Sequence, residues 1–269
     1  MTPGEVWRGL PAVATLDEVG DALSVGALAP YLARVMPYVT LRNREHLAAV
    51  RERRRVSSTA LRRKAERYGR WIARLPFVRM VAVTGSLAVG NAEESDDLDY
   101  LIVAAPGRVW LARAMTMVVV RIAGLRGTTV CPNYLLSEAR LALRNHDLYT
   151  ARELLQMQPL AGVEVYRRML AANPWWRDYL PNAAPSAAPV VSDQPSLARR
   201  AVEALLWTRP FGLLEAWLLR HKGGELRQLS TGDEAVFDET MCKGHFEGWR
   251  ERSRRTLAER MTALPGRSE

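Results

Sequence analysis

A chain of 269 residues, 48% hydrophobic and 25% charged with Gly 18 and Pro 15, has the composition of a globular protein that buries a core in one large domain or two smaller ones, which excludes disordered and collagen-like classes. The net charge of +9 is concentrated, because ten Lys/Arg face only Glu45, Glu52 and Glu66 between Arg44 and Arg70, leaving +7 in one stretch; a localised excess of this kind suits a polyanion. Only Cys131 and Cys242 occur, without CxxC or Cys/His spacing, so neither a disulfide framework nor a structural zinc site is expected and a reducing, cytoplasmic setting fits.

The start, MTPGEVWRGL, carries acid early and lacks a basic run followed by an apolar one, so it does not read as a secretory signal. From about Asn43 to Leu75 the pattern is helical, with Leu61, Ala65, Tyr68, Ile72 and Leu75 on one face and the arginines on the others. The β-branched run Phe77 to Thr84 predicts a strand ending in the turn Gly85-Ser86, and Asp97 to Ala104 a second strand closed by Pro106-Gly107. Val109 to Leu125 is the most apolar window, but Arg113 and Arg121 interrupt it and it is too short to span a bilayer, so it predicts a buried helix and no membrane partner. Thr128 to Leu136 reads as a third strand, in which Pro132 implies an edge or a bulge. Asp147 is placed to cap a helix over Leu148 to Gln158. Four prolines between Pro181 and Pro195 mark a connector, and two helices are predicted beyond it, Ser196 to about Glu225 and Phe246 to Leu264, the second with a basic face of Arg250, Arg252, Arg254, Arg255 and Arg260. This divides the chain into a helical region (1–75), an α/β core (76–180), a linker (181–195) and a mainly helical C-terminal region (196–269).

The chemistry lies around Gly85. Residues two apart on a strand share a face, so Asp97 and Asp99 present two carboxylates side by side. Their repulsion is relieved by a hard divalent cation such as Mg²⁺, which prefers oxygen ligands; Mn²⁺ would serve as well. Gly85-Ser86, following a strand and opening a short helical turn, offers backbone N–H groups and a hydroxyl to phosphate oxygens. Together these are the parts needed to hold a nucleoside triphosphate and to stabilise displacement of pyrophosphate.

The segment resembles the nucleotidyltransferase superfamily of DNA polymerase β: an apolar strand, Gly-Ser, then Asp-x-Asp, with ten residues separating Ser86 from Asp97. Within it, Gly85, Ser86, Ala88, Gly90, Ala92, Asp97 and Asp99 match small stand-alone bacterial members over about 25 residues. The resemblance implies a mixed sheet flanked by helices, triphosphate binding at Gly85 and Ser86, and Mg²⁺ on Asp97 and Asp99. It also implies a third carboxylate on a later strand, but TTVCPNYLLSE offers Cys131 and Asn133 there; Asn133 is a possible ligand through its amide oxygen and a poor base, and Glu138 and Asp147 are alternatives.

Other residues admit plainer roles. Arg113, Met117 and Arg121 share a helix face from which the arginines could reach a phosphate, although such arginines commonly sit at a surface. His245 is a candidate base far away in sequence, more simply a structural or exposed histidine. Trp175-Trp176 suit a core or an interface, and Glu93, Glu94 and Asp96 read as a solvated loop. The expected activity is transfer of a nucleoside monophosphate from a nucleoside triphosphate to an acceptor hydroxyl on a small molecule or protein. The alternatives are an RNA- or tRNA-directed enzyme using the basic helix 44–70, and a non-catalytic nucleotide-binding protein lacking the third carboxylate.

Overall fold

The computed structural model describes residues 1–25, 28–186, 196–229, 235–244, 255–256 and 259. Two short helices, α1 (Pro3–Arg8) and α2 (Leu16–Ala22), each begin with a capping box, from Thr2 to Glu5 and from Thr15 to Glu18. A hairpin of β1 (Leu32–Val35) and β2 (Tyr38–Leu41) leads into the long helix α3 (His46–Ala73). Leu61, Ala65, Tyr68 and Ile72 of α3 are buried, as their spacing predicts. Gly69 lets α3 approach the sheet closely, since a Cβ there would run into Leu160 Cδ1.

The core sheet is mixed and six-stranded, in the order β6-β3-β4-β5-β8-β7. After β3 (Val78–Val83) the chain turns through a single-turn helix, α4 (Gly85–Ala88), into the antiparallel β4 (Leu98–Ala104). The crossover helix α5 (Val109–Gly124) then leads to β5 (Val130–Ser137), parallel to β4. Pro132 lies in a bulge: the register passes from Asp99 opposite Cys131 to Leu101 opposite Tyr134, so Tyr100 faces both Pro132 and Asn133.

Helix α6 (Leu148–Gln156), capped by Asp147 through the Thr150 N–H, is shorter than its periodicity predicts. Pro159 disfavours helix at the residue before it, and Gln158 instead begins β6 (Gln158–Ala161), an edge strand on which a proline costs no ladder bond. Helices α7 (Val163–Ala171) and α8 (Trp176–Tyr179) follow. The single helix predicted from Ser196 is two, α9 (Leu197–Leu206) and α10 (Arg209–Leu229), with Pro210 in the first turn of α10, where it lacks no needed donor. The C-terminal region also contributes two strands that periodicity missed, β7 (Val236–Phe237) and β8 (Met241–Lys243), and β8 pairs with β5. The predicted helix over Phe246 to Leu264, His245 and most of the 181–195 connector lie outside the described residues or only touch them.

Alternation along β4 divides the core. Leu98, Tyr100, Ile102 and Ala104 face a cluster shared with α3, α5, α9 and α10, whereas Leu101 and Val103 face one built by α6, α7 and α8. Helix α9 turns its charges inward: Glu203 accepts from the Phe77 N–H at 2.8 Å and from Arg79, while Arg199 pairs with Glu203 at 3.0 Å and donates to the Ala73 carbonyl. No described helix is long and apolar enough to cross a membrane.

Candidate functional site

Asp99 follows the parity of Leu101 and Val103, so its carboxylate emerges on the α6–α8 side of the sheet. There a cavity of about 1210 Å³ is lined by Thr84, Gly85, Ser86, Asp96, Asp97, Asp99 and Asn133, among others. Gly85 has φ +67°, and a Cβ on it would lie 2.5 Å from Asp99 Oδ2. Only glycine meets both demands, a left-handed conformation and contact between the turn and the carboxylate. The Gly-Ser of the sequence is thus a fit between the head of α4 and the second aspartate.

Asn133 is brought to the same place by the bulge at Pro132. Its Nδ2 donates to Asp99 Oδ1 at 2.6 Å, and its Oδ1 accepts from the Cys131 thiol at 2.9 Å. In this arrangement Asn133 positions Asp99 through its amide nitrogen, rather than offering its oxygen as a ligand. Ser86 Oγ donates to Asp96 Oδ2 at 2.7 Å, and Asp96 lines the cavity, so Asp96 is more than a residue of a solvated loop. Glu93 is paired with Arg54.

The charge in this cavity is strained. Burial, followed by the negative charges of Asp97 and Glu153, pushes the Asp99 carboxyl up to about 7, against the opposing hydrogen bond from Asn133. Burial and the same two aspartates push the Cys131 thiol up to about 11. Burial also raises the Glu153 carboxyl, with Lys243 pulling the other way.

Glu153 is the residue that reading along the chain missed. It projects from α6 into the cavity and acts electrostatically on Asp99. The signal for it was available in part: Asp147 caps this helix, and Ala151, Leu154 and Leu155 mark its buried face, beside which Glu153 sits. The other candidates for a third carboxylate are engaged elsewhere. Glu138 pairs with Arg168 at 2.6 Å, and Asp147 accepts from the Thr150 N–H at 2.8 Å; neither lines the cavity.

Arg113 is not brought to the site. It stands on α5, across the sheet, with its guanidinium 5.9 Å from the Trp110 ring and beside the Cys242 thiol. Arg121 is exposed on the same helix. Trp176 is buried and Trp175 stacks on His146 at 4.5 Å, so both serve packing. Part of the charge on the basic helix is paired: Arg51 with Glu5 of α1 at 2.8 Å, also donating to the Gly90 carbonyl, Arg54 with Glu93 in the loop after α4, and Arg55 with Glu52 of α3 itself at 2.6 Å.

The donor set suits a hard cation. Asp97 and Asp99 are oxygen donors, and the Asp99 carboxyl is held up first by burial and then by the neighbouring charges of Asp97 and Glu153, a combination that a bound cation would relieve. Among the described residues no group of three or more His, Cys, Asp or Glu is arranged to hold a metal ion. A pair of carboxylates is compatible with Mg²⁺, which commonly takes one or two carboxylates from a protein and completes its shell with phosphate oxygens and water. The chain matches no family model, no curated protein and no solved structure.

Proposed function

We propose that the protein is a divalent-cation-dependent nucleotidyltransferase, moving a nucleoside monophosphate from a nucleoside triphosphate to an acceptor hydroxyl. The observation that carries this reading is the contact of Gly85 with Asp99, which puts a turn able to donate to phosphate directly against the aspartate pair in one cavity.

In this reading the N–H groups at the head of α4 and the Ser86 hydroxyl receive triphosphate oxygens, the hydroxyl leaving Asp96 to do so. Asp97 and Asp99 hold Mg²⁺ or Mn²⁺, which when bound neutralises phosphate charge as the α-phosphorus is attacked. Asn133 keeps Asp99 in position. The acceptor oxygen bonds to the α-phosphorus as the α–β phosphoanhydride bond breaks, and pyrophosphate leaves with that electron pair. Glu153, whose burial makes it a stronger base than an exposed glutamate, takes the acceptor proton. Asn133 cannot do this, so Glu153 fills the role that the resemblance assigns to a third carboxylate.

The test is thermal stability of the wild type and of the Asp97→Asn/Asp99→Asn variant with ATP, GTP, CTP and UTP, with and without Mg²⁺. Saturation at 100-fold above Kd adds about 2.7 kcal/mol. Stabilisation of the wild type by one triphosphate only with Mg²⁺, and its loss in the variant, is the expected result. No response to any triphosphate refutes the reading. Binding without pyrophosphate release from any acceptor makes the chain a nucleotide-binding protein instead.

A further inference from the structure

Helix α5 is apolar all round apart from Arg113 and Arg121, a pattern that ordinarily marks a helix enclosed on every side. The fold encloses only part of it. Val109, Ala112, Val119 and Ala123 pack into the core beneath α5. Val118, Ile122 and Leu125, at i, i+4 and i+7, instead form an outward ridge that is 52%, 36% and 88% exposed. A row of large apolar side chains left in water is a surface waiting to be covered.

The flank of this ridge is basic. Helix α3 lies beside α5, and the two meet where the Arg126 guanidinium sits 5.2 Å from the Trp71 ring. Ile122, one turn before Arg126, is therefore on the side of α5 that faces α3. Across from it, Lys64 and Arg67 share the flank of α3 that carries Trp71, while Arg63, Arg70 and Arg74 stand on its outer face, and all five cations are exposed. Here the two halves of α3 differ. In the first half Arg51, Arg54 and Arg55 are paired with glutamates. In the second, none of these five side chains has an ion pair or hydrogen bond among the described residues, and the one acid in their stretch, Glu66, is paired with Arg62 at 3.4 Å on the flank away from α5. Helix α5 contains no acid, and Arg121 and Arg126 bring the exposed cations of this face to seven.

We propose that this face, made by the second half of α3 and the outward ridge of α5, docks on an anionic lipid bilayer. Val118, Ile122 and Leu125 enter the boundary between headgroups and acyl chains, and the cations beside them meet the negative headgroups. The pairing of the two features selects this occupant. A second copy of the chain would bring the same positive charges against themselves. A nucleic acid would meet the charges but leave the apolar ridge against phosphates, and Trp71, the ring on this flank of α3, is already held between Tyr68, 5.4 Å away, and Arg126 rather than open to stack on a base. A bilayer answers both. The expectation of no membrane partner rested on the length needed to span, about 20 apolar residues, and no described helix does span; lying on the surface needs no such length. The Asp99 cavity opens on the other side of the sheet and stays free when this face is covered. The proposal rests on this surface alone and is independent of the transferase reading.

The test sediments the full chain with vesicles of phosphatidylcholine alone and of an equal mixture of phosphatidylcholine and phosphatidylglycerol. Binding to the mixed vesicles that weakens as salt is raised, with none to phosphatidylcholine alone, is the expected result. Arg67→Gln/Arg70→Gln should weaken it about 30-fold, and Ile122→Gln/Leu125→Ser about 10-fold or more. Arg167→Gln, on α7 across the sheet, should leave it unchanged. Leu125→Ser alone, at the most exposed position of the ridge, serves if thermal unfolding shows that the double variant does not fold. No binding to the mixed vesicles, equal binding to both kinds, or binding indifferent to either pair of substitutions overturns the proposal. Poly(U) RNA is run beside the vesicles, and RNA bound through Arg67 and Arg70 while vesicles stay unbound makes this a nucleic-acid surface instead.

Discussion

Replacing Asp99 by Asn should stabilise the ligand-free protein at alkaline pH. The folded carboxyl ionises near 7 and the unfolded one near 3.8, because folding buries it and places Asp97 and Glu153 nearby. A raised carboxyl is a cost that is absent below the unfolded value, grows as pH rises from 3.8, and is complete once pH passes 7. At about 1.36 kcal/mol for each pH unit between the two values, the full cost is about 4 kcal/mol. Water entering the open cavity screens the charge, so the realised gain is on the order of 2 kcal/mol, or roughly 4–8 °C for a chain of this size. Asparagine keeps an oxygen for the 2.6 Å bond from Asn133, so the substitution removes charge and little else. Thermal unfolding of wild type and variant at pH 8 and pH 5 should show a gain at pH 8 that shrinks by more than half at pH 5. A gain independent of pH, or a loss at pH 8, would refute the argument that Asp99 carries uncompensated charge.

Gly85→Ala forces a residue with a Cβ into φ +67° and drives that Cβ against Asp99; stability should fall by about 1–3 kcal/mol in denaturant titrations, and any response to Mg²⁺ with nucleotide should vanish. Glu203→Gln breaks the inward ion pairs of α9 with Arg79 and Arg199 and should cost roughly 2–4 kcal/mol by the same measurement. Burial opposes the ionisation of Glu203, but Arg79, the Phe77 N–H and Arg199 outweigh it and bring the carboxyl down to about 2 from 4.5. Its stabilisation is therefore complete above 4.5 and lost as pH falls through 2, and an acid titration of the variant should be flatter across that window. Asn173→Ala removes a fully buried amide that accepts the Leu143 N–H and donates to the Leu141 and Met169 carbonyls. A loss of about 3 kcal/mol or more is expected, with faster hydrogen exchange at Leu143, whose side chain lines the cavity.

Local chemistry made part of this molecule legible in advance. The strand before Gly85, the turn itself and the buried stripe of α3 all depend on residues near one another in the chain, so their periodicity and turn chemistry could be read directly; the strand expected from Asp97 begins at Leu98, which leaves Asp97 just ahead of it, and Asp97 and Asp99 both line the cavity. Pro132 announced the bulge for the same reason. Tertiary structure decided the rest. Whether Arg113 faces the carboxylates depends on which side of the sheet the crossover helix packs, and the parity of β4 put it on the other side. Glu153, Arg140 and Lys243 enter the cavity from a helix, the end of a strand and a late strand that are far apart in sequence, and no local period relates them. The pairing of β8 with β5 joins the end of the chain to its middle, so a three-residue strand exists there only because an edge was available to receive it. Periodicity in a chain is a property of neighbours, whereas a site assembled across a sheet is a property of packing.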